Sequence, residues 1–194
     1  MEDLLKDIRK CIVCEPFLPL GARPVLSAHP RSRILIVGQA PGTRVHHSGI
    51  PWNDQSGKTL RAWLNVSDKE FYTEEKFGIV PMGFCYPGSM SGKAKSGDLP
   101  PRKECAPLWH AALLERMPEV QLTLLIGQYA QKYYLGKQAR KNLTETVQSF
   151  EEYLPRFFPL PHPSPRNRIW IKKNPWFEEI IVPQLQYHVK KILH

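Results

Sequence analysis

Four consecutive aliphatic residues, Ile34-Leu35-Ile36-Val37, run straight into Gly38-Gln39-Ala40-Pro41-Gly42. A strand with no polar alternation must be buried on both faces, the condition of a central strand in a parallel sheet covered by helices. The glycines and proline that follow let backbone N–H groups approach a ligand closely at the strand's end. Late in the chain, Arg156-Phe157-Phe158-Pro159-Leu160 leads in the same way into His162-Pro163-Ser164-Pro165-Arg166-Asn167. Rigid loops at strand ends are where α/β sheets build their sites.

Between these two points the pattern keeps alternating. Strands are expected at Phe77–Val80, Leu122–Ile126 and Arg156–Leu160. Helices are expected over Asp3–Arg9, Ser56–Leu64, Cys105–Arg116, from Gly127 to about Leu135, and from about Trp176 to Leu193. In the second of these, Leu60, Trp63 and Leu64 share one face. The Pro-rich stretch from Pro16 to Pro30 reads as an arm wrapping the sheet, and Ser89 to Lys103, rich in Gly, Ser, Lys and Pro, as a mobile loop. Strands alternating with helices predict an α/β fold, a three-layer α/β/α arrangement around a central four-stranded parallel sheet. The 194 residues suit a single domain, 1–194, and the 19 prolines are scattered rather than gathered into a linker.

Lys and Arg number 27 against 18 Asp and Glu, a net charge of +9, which favours a polyanionic partner such as nucleic acid. The chain has no apolar stretch of about 18 residues, and it begins with Glu2 and Asp3 where a signal peptide would be basic and then apolar. No membrane association is expected, and the expected location is cytoplasmic.

The cysteines are Cys11, Cys14, Cys85 and Cys105. One close pair and two distant thiols in a cytosolic chain fit a metal site better than disulfides. Thiolates without accompanying histidines suit zinc or an iron–sulfur cluster, and the spacing alone does not separate the two.

With its Gly-rich loop after the first strand and its His-Pro-Ser loop after the last, the sequence resembles the uracil-DNA glycosylase superfamily. The cysteine framework resembles that of the family 4 and family 5 enzymes, and the six residues His162 to Asn167 read as in the single-strand-selective monofunctional uracil-DNA glycosylases. The resemblance implies a [4Fe-4S] cluster on Cys11, Cys14, Cys85 and Cys105, stapling the N-terminal arm and the loop 86–104 onto the sheet. It implies that a deaminated base, uracil first with hypoxanthine or xanthine as further candidates, is flipped out of DNA and its N-glycosidic bond hydrolysed by a monomeric enzyme.

Such a reaction needs a carboxylate near the sugar and donors near the departing base. The resemblance carries roles onto particular positions. Where the best-known branch has Asp in the first loop, this chain has Ala40. The nearest carboxylate is Asp54 in Trp52-Asn53-Asp54-Gln55-Ser56-Gly57, which resembles the family 5 pattern, so Asp54 is the expected base, with Gln39 as an alternative holder of the water and an N-cap as the structural alternative for Asp54. Gly38, Ala40, Gly42 and Gly83 are expected to line the substrate site, and Trp52 to stack on the flipped base. His162 would donate to the leaving base, Ser164 would hold a phosphate, Arg166 would fill the gap left by the base, and Pro165 and Asn167 complete the DNA loop. Arg168, Lys172 and Lys173, interleaved with Trp170 and Trp176, suit a phosphate-tracking surface, with a solvated basic face as the alternative. Pro81 stands where family 4 reads uracil with Asn, which loosens the expected base specificity. No lysine sits in the motif loops, Lys58 being the nearest, so no strand cleavage is expected. Ala40 and Pro81 motivate a second reading, a non-catalytic binder of damaged or single-stranded DNA on the same fold.

Overall fold

The computed structural model describes residues 1–90 and 97–194. Strands β1 (Ile34–Val37), β2 (Phe77–Ile79), β3 (Leu122–Ile126) and β4 (Phe157–Leu160) form one sheet in the order β2-β1-β3-β4, with every neighbouring pair parallel. β1 is fully buried along its length, as its unbroken aliphatic run requires. Its side chains divide between two cores. Ile34 and Ile36 face a layer formed by α3 (Gln55–Leu64) and α9 (Val182–Leu193), where Leu60, Leu64, Leu185 and Val189 pack. Leu35 and Val37 face α1 (Glu2–Arg9), α5 (Cys105–Glu115) and α6 (Gln128–Leu135), through Ile8, Leu113 and Ala130. The expected three-layer α/β/α arrangement is the one observed.

The edges of the sheet are finished differently. Along β2, Ser27 pairs antiparallel with Ile79, so the N-terminal arm does cover that edge. β4 is the other edge and carries Pro159, whose missing N–H is tolerated where there is no further strand to receive it.

Several short helices lie outside the sequence expectations: α2 (Thr43–Ser48), α4 (Asp68–Phe71), α7 (Leu143–Gln148) and α8 (Arg168–Lys173). Each is six residues or fewer, too short for a hydrophobic period to register. The expected C-terminal helix is present, its first turn over Phe177–Ile181 wound as a π-helix that runs directly into α9. Trp170 and Trp176 correct the picture of a mixed aromatic and basic surface. Both pack against the core, and the Trp170 indole N–H donates to Thr144 Oγ1 at 2.9 Å, while Lys172 and Lys173 remain exposed. Of the expected mobile loop, Ser89 bridges to Asp98 and Met90 N–H donates to the Gly97 carbonyl, whereas 91–96 lie outside the described residues.

Candidate active site

The two motif loops meet at the C-terminal ends of the strands, where β1 and β3 lead off in opposite directions across the sheet. The first loop is held by a continuation of the sheet ladder beyond β2. Val80, Met82 and Gly83 donate their N–H groups to the carbonyls of Ile36, Gly38 and Gln39. Gly83 is therefore a brace for the loop, and its side faces Pro101 and Arg102 rather than the pocket. The second loop is drawn into shape by Asn167, whose side-chain amide donates to the His162 carbonyl at 2.7 Å, and by Ser164, whose hydroxyl accepts from Arg166 N–H at 3.3 Å.

Between the loops lies a cavity of about 430 Å³. Gly38, Gln39, Ala40 and Gly42 form one wall. Trp52, Asp54, His162, Ser164, Arg166 and Asn167 complete the set of expected site residues that the fold brings together. Pro165, exposed at the start of a single 3-10 turn, is outside it.

Trp52 is placed by unusual means. Its φ of 56° lies in the left-handed region, which costs a non-glycine residue on the order of 1–3 kcal/mol. The strap around it is clamped from behind. Tyr72 Oη donates to the Pro51 carbonyl at 3.2 Å, and the buried Arg61 guanidinium donates to the Trp52 carbonyl at 3.3 Å while pairing with Asp68 at 2.6 Å. Arg61 is itself seated over the rings of Phe71 and Tyr72. Two glycines make the room: a Cβ at Gly57 would lie 1.7 Å from the Trp52 carbonyl oxygen, and one at Gly38 would lie 2.8 Å from the Trp52 ring. The indole packs on the His162 ring with centroids 5.6 Å apart.

Asp54 caps α3, its Oδ1 accepting from Gly57 N–H at 2.8 Å. Among the described residues the cap uses this one carboxylate oxygen, while the residue also lines the cavity. The Gln39 side-chain amide donates one N–H to the Leu99 carbonyl at 3.2 Å, beyond the cavity lining. Burial lowers His162 to a pKa of about 4, an effect that Asp54 opposes and Arg166 reinforces. At neutral pH the imidazole is therefore uncharged and can offer one N–H to an acceptor in the cavity. A carboxylate, a neutral imidazole donor and an indole face around one cavity suit hydrolysis in which one partner becomes cationic and the other anionic.

A second pocket carboxylate had no signal in the sequence. Asp98 lines the cavity beside Gly42 and accepts from Ser89 Oγ at 3.3 Å, and the neighbouring Gly97 lies against the Arg166 guanidinium. The paired base of the 89–98 loop carries both to the site, a placement no local motif announces.

Behind the first loop, His110 is fixed in a buried relay. Its Nε2–H donates to the Pro81 carbonyl at 3.1 Å, which leaves Nδ1 to accept from Tyr134 Oη at 2.7 Å. Burial lowers His110 to about 4.

The four cysteines come from the segment after α1, the segment after β2 and the first turn of α5. Cys14, Cys85 and Cys105 are buried, Cys14 and Cys85 packing together with Leu18. Burial pushes the Cys85 thiol up to about 11 and the Cys105 thiol up to about 12, with Cys11 and Cys14 nearby raising both further. Arg102 lies beside Cys14, with its buried Nε–H lacking a partner, and Glu104 Oε2 stands 3.8 Å from Cys14 Sγ. Among the described residues no three His, Cys, Asp or Glu are grouped as the ligands of a metal ion. Also among the described residues, no helix is long and apolar enough to cross a membrane.

Two solved structures resemble the chain. One is a solution NMR structure of a candidate uracil DNA glycosylase from Methanosarcina acetivorans, with 16% identity, a TM-score of 0.48, and coverage of 88% of this chain and 99% of the other. The second is a crystal structure of wild-type Pedobacter heparinus SMUG2, with 14% identity, a TM-score of 0.39, and coverage of 82% and 72% respectively. The family model of the uracil DNA glycosylase superfamily matches residues 26–186, a span that takes in both motif loops, the Trp52 strap and all four strands. By that match, the chain belongs to the uracil DNA glycosylase superfamily.

Proposed function

We propose that the protein is a monofunctional DNA glycosylase of the iron–sulfur family 4 or family 5 type, which flips a deaminated base out of DNA and hydrolyses its N-glycosidic bond. Uracil is the first candidate base, with hypoxanthine and xanthine next, because Pro81 offers no side-chain donor or acceptor where a uracil-reading Asn would stand. The observation that carries the reading is the convergence of Asp54, His162 and Trp52 on one cavity between the two motif loops.

In this reading Asp54 draws a proton from the attacking water and stabilises the positive charge developing on the sugar. His162, uncharged, donates its N–H to the departing base as it becomes an anion. Trp52 supplies the ring face against which the flipped base rests, and Arg166, exposed at the rim, occupies the space it leaves. Ser164 is the proposed phosphate contact, and Gln39 is the alternative holder of the water, which its non-basic amide can orient but not deprotonate.

The residues around the thiols fit a [4Fe-4S] cluster: four cysteines within electrostatic reach of one another, and an unpartnered buried Arg102 Nε–H beside Cys14 to meet a negatively charged group. Bound there, the cluster would supply a covalent staple between the N-terminal arm, the segment after β2 and α5. Iron and sulfide content of anaerobically purified protein, with a visible absorption band, checks it. Protein that folds and binds DNA with neither iron nor sulfide overturns it.

The decisive experiment is a glycosylase assay on oligonucleotides holding one uracil, hypoxanthine or xanthine, comparing wild type with Asp54→Asn. Asn caps a helix about as well as Asp, so the variant keeps α3 and its stability. Loss of turnover by about 100-fold or more, with DNA binding retained, is the expected outcome. No product from the wild type on any base would favour the alternative, a binder of damaged or single-stranded DNA. One observation inclines that way: both Asp54 and Gln39 are partly committed to structural hydrogen bonds.

A further inference from the structure

We propose that a basic, aromatic groove beside the pocket holds the single-stranded DNA that flanks the target nucleotide; the proposal rests on the glycosylase reading above. One segment of chain separates the two sites. Gly97 and Asp98 line the pocket, and residues 99–103, immediately following, line a second cavity of about 730 Å³. Asp98 and Leu99 are consecutive residues, with Cα atoms about 3.8 Å apart, so the pocket and the groove adjoin. At about 3.4 Å per nucleotide of a stacked strand, the nucleotides next to the target reach the groove. The two cavities are also joined by a hydrogen bond, since Gln39 in the pocket donates to the carbonyl of Leu99 in the groove.

The groove has the two components that bind single strands without reading sequence: cations along a track and aromatic faces on which bases stack. Tyr133 is 45% exposed, yet its ring is fixed edge-on against Tyr134 and His110, with centroids 5.2 and 5.8 Å away. A ring already held in place loses little freedom when a base stacks on it. Phe17, 61% exposed, also lines the groove, with the Arg102 guanidinium 4.4 Å from its ring centroid. Lys103 and Lys132 are exposed at the rim, and Arg102 is paired with Glu104 at 2.6 Å. No Asp or Glu is among the described residues that line the groove. An exposed aromatic slot rimmed by lysines, on a chain of net charge +9, has the electrostatic complement of a phosphate backbone.

The test compares a trimer carrying the target base at its centre with an 11-mer carrying the same base, both single-stranded, for wild type, Lys132→Ala and Tyr133→Ala. Affinity and single-turnover hydrolysis are measured for each, and an undamaged 11-mer is included in the binding arm. Wild type is expected to bind the 11-mer about tenfold more tightly than the trimer. Each variant is expected to lose most of that gain and to hydrolyse the trimer at the wild-type rate. Lys132→Ala should also reduce the slope of log affinity against log salt by about one. Variants that keep the full gain on the 11-mer overturn the proposal. So do variants that lose as much on the trimer, because the effect would then belong to the pocket. Lys132 is exposed, so its removal leaves the fold in place even if Tyr133→Ala disturbs the packing around His110. Failure of the glycosylase reading is separate: the wild type would hydrolyse neither length with any base, while the undamaged 11-mer would still report whether the groove binds DNA.

Discussion

At the scale of single residues, Gly57 and Trp52 are one unit. Any side chain at 57 meets the Trp52 carbonyl oxygen at a distance no atom tolerates, and the obstacle is backbone. Gly57→Ala, a change that normally favours a helix, is here expected to destabilise by at least about 2 kcal/mol, read by urea unfolding, and to abolish turnover by shifting the Asp54 cap. His162 leads to a different prediction. Because burial holds it near 4, it does not titrate across the neutral range, and kcat is expected to show no break near 6.5, the value of an ordinary histidine. A pH–rate profile with a clear inflection there would remove His162 from the role of neutral donor.

At the scale of elements, the strap between α2 and α3 is held from outside rather than by its own sequence. Arg61 on α3 and Tyr72, just past α4, grip consecutive carbonyls, so α4 acts on the pocket without touching it. Arg61→Met removes the donor and leaves Asp68, which is largely exposed, to water. The expected outcome is a loss of about 2–3 kcal/mol in stability, together with a rise in KM larger than the fall in kcat, as Trp52 loses its fixed orientation. Tyr72→Phe removes two hydrogen bonds, the one given to the Pro51 carbonyl and the one accepted from Arg61 Nη1 at 3.4 Å, and should cost about 1–2 kcal/mol and act on KM in the same direction. The same strap marks the limit of what the sequence shows. The two strand-end loops were legible because a buried strand and a glycine-rich turn are local patterns, and the fold set both where expected. The left-handed Trp52 was not, since residues nine and twenty positions away impose it. Asp98 was invisible as a lone carboxylate delivered by a loop base, and Trp170 and Trp176 misled because only tertiary packing decides which way an indole turns.

For the whole molecule, the buried histidines tie stability to acidity. His110 binds a proton at about 6.5 when unfolded and at about 4 when folded, so between those values the unfolded chain holds more protons. Stability is therefore full above about 6.5 and declines as pH falls toward 4, by on the order of 3 kcal/mol from His110 alone, with His162 acting in the same direction. Denaturant unfolding at pH 7.5 and pH 4.5 measures the difference, and His110→Gln is expected to flatten it by about half.

The two borders of the sheet have a bearing on how the protein behaves when it is crowded or partly loosened. On one side the N-terminal arm takes both backbone groups of Ile79 at the end of β2, and on the other Pro159 interrupts the row that β4 would present. Neither border offers an unbroken template to a neighbouring chain, so molecules gathered at high local density along a nucleic acid have no ready means of zipping together through their strands.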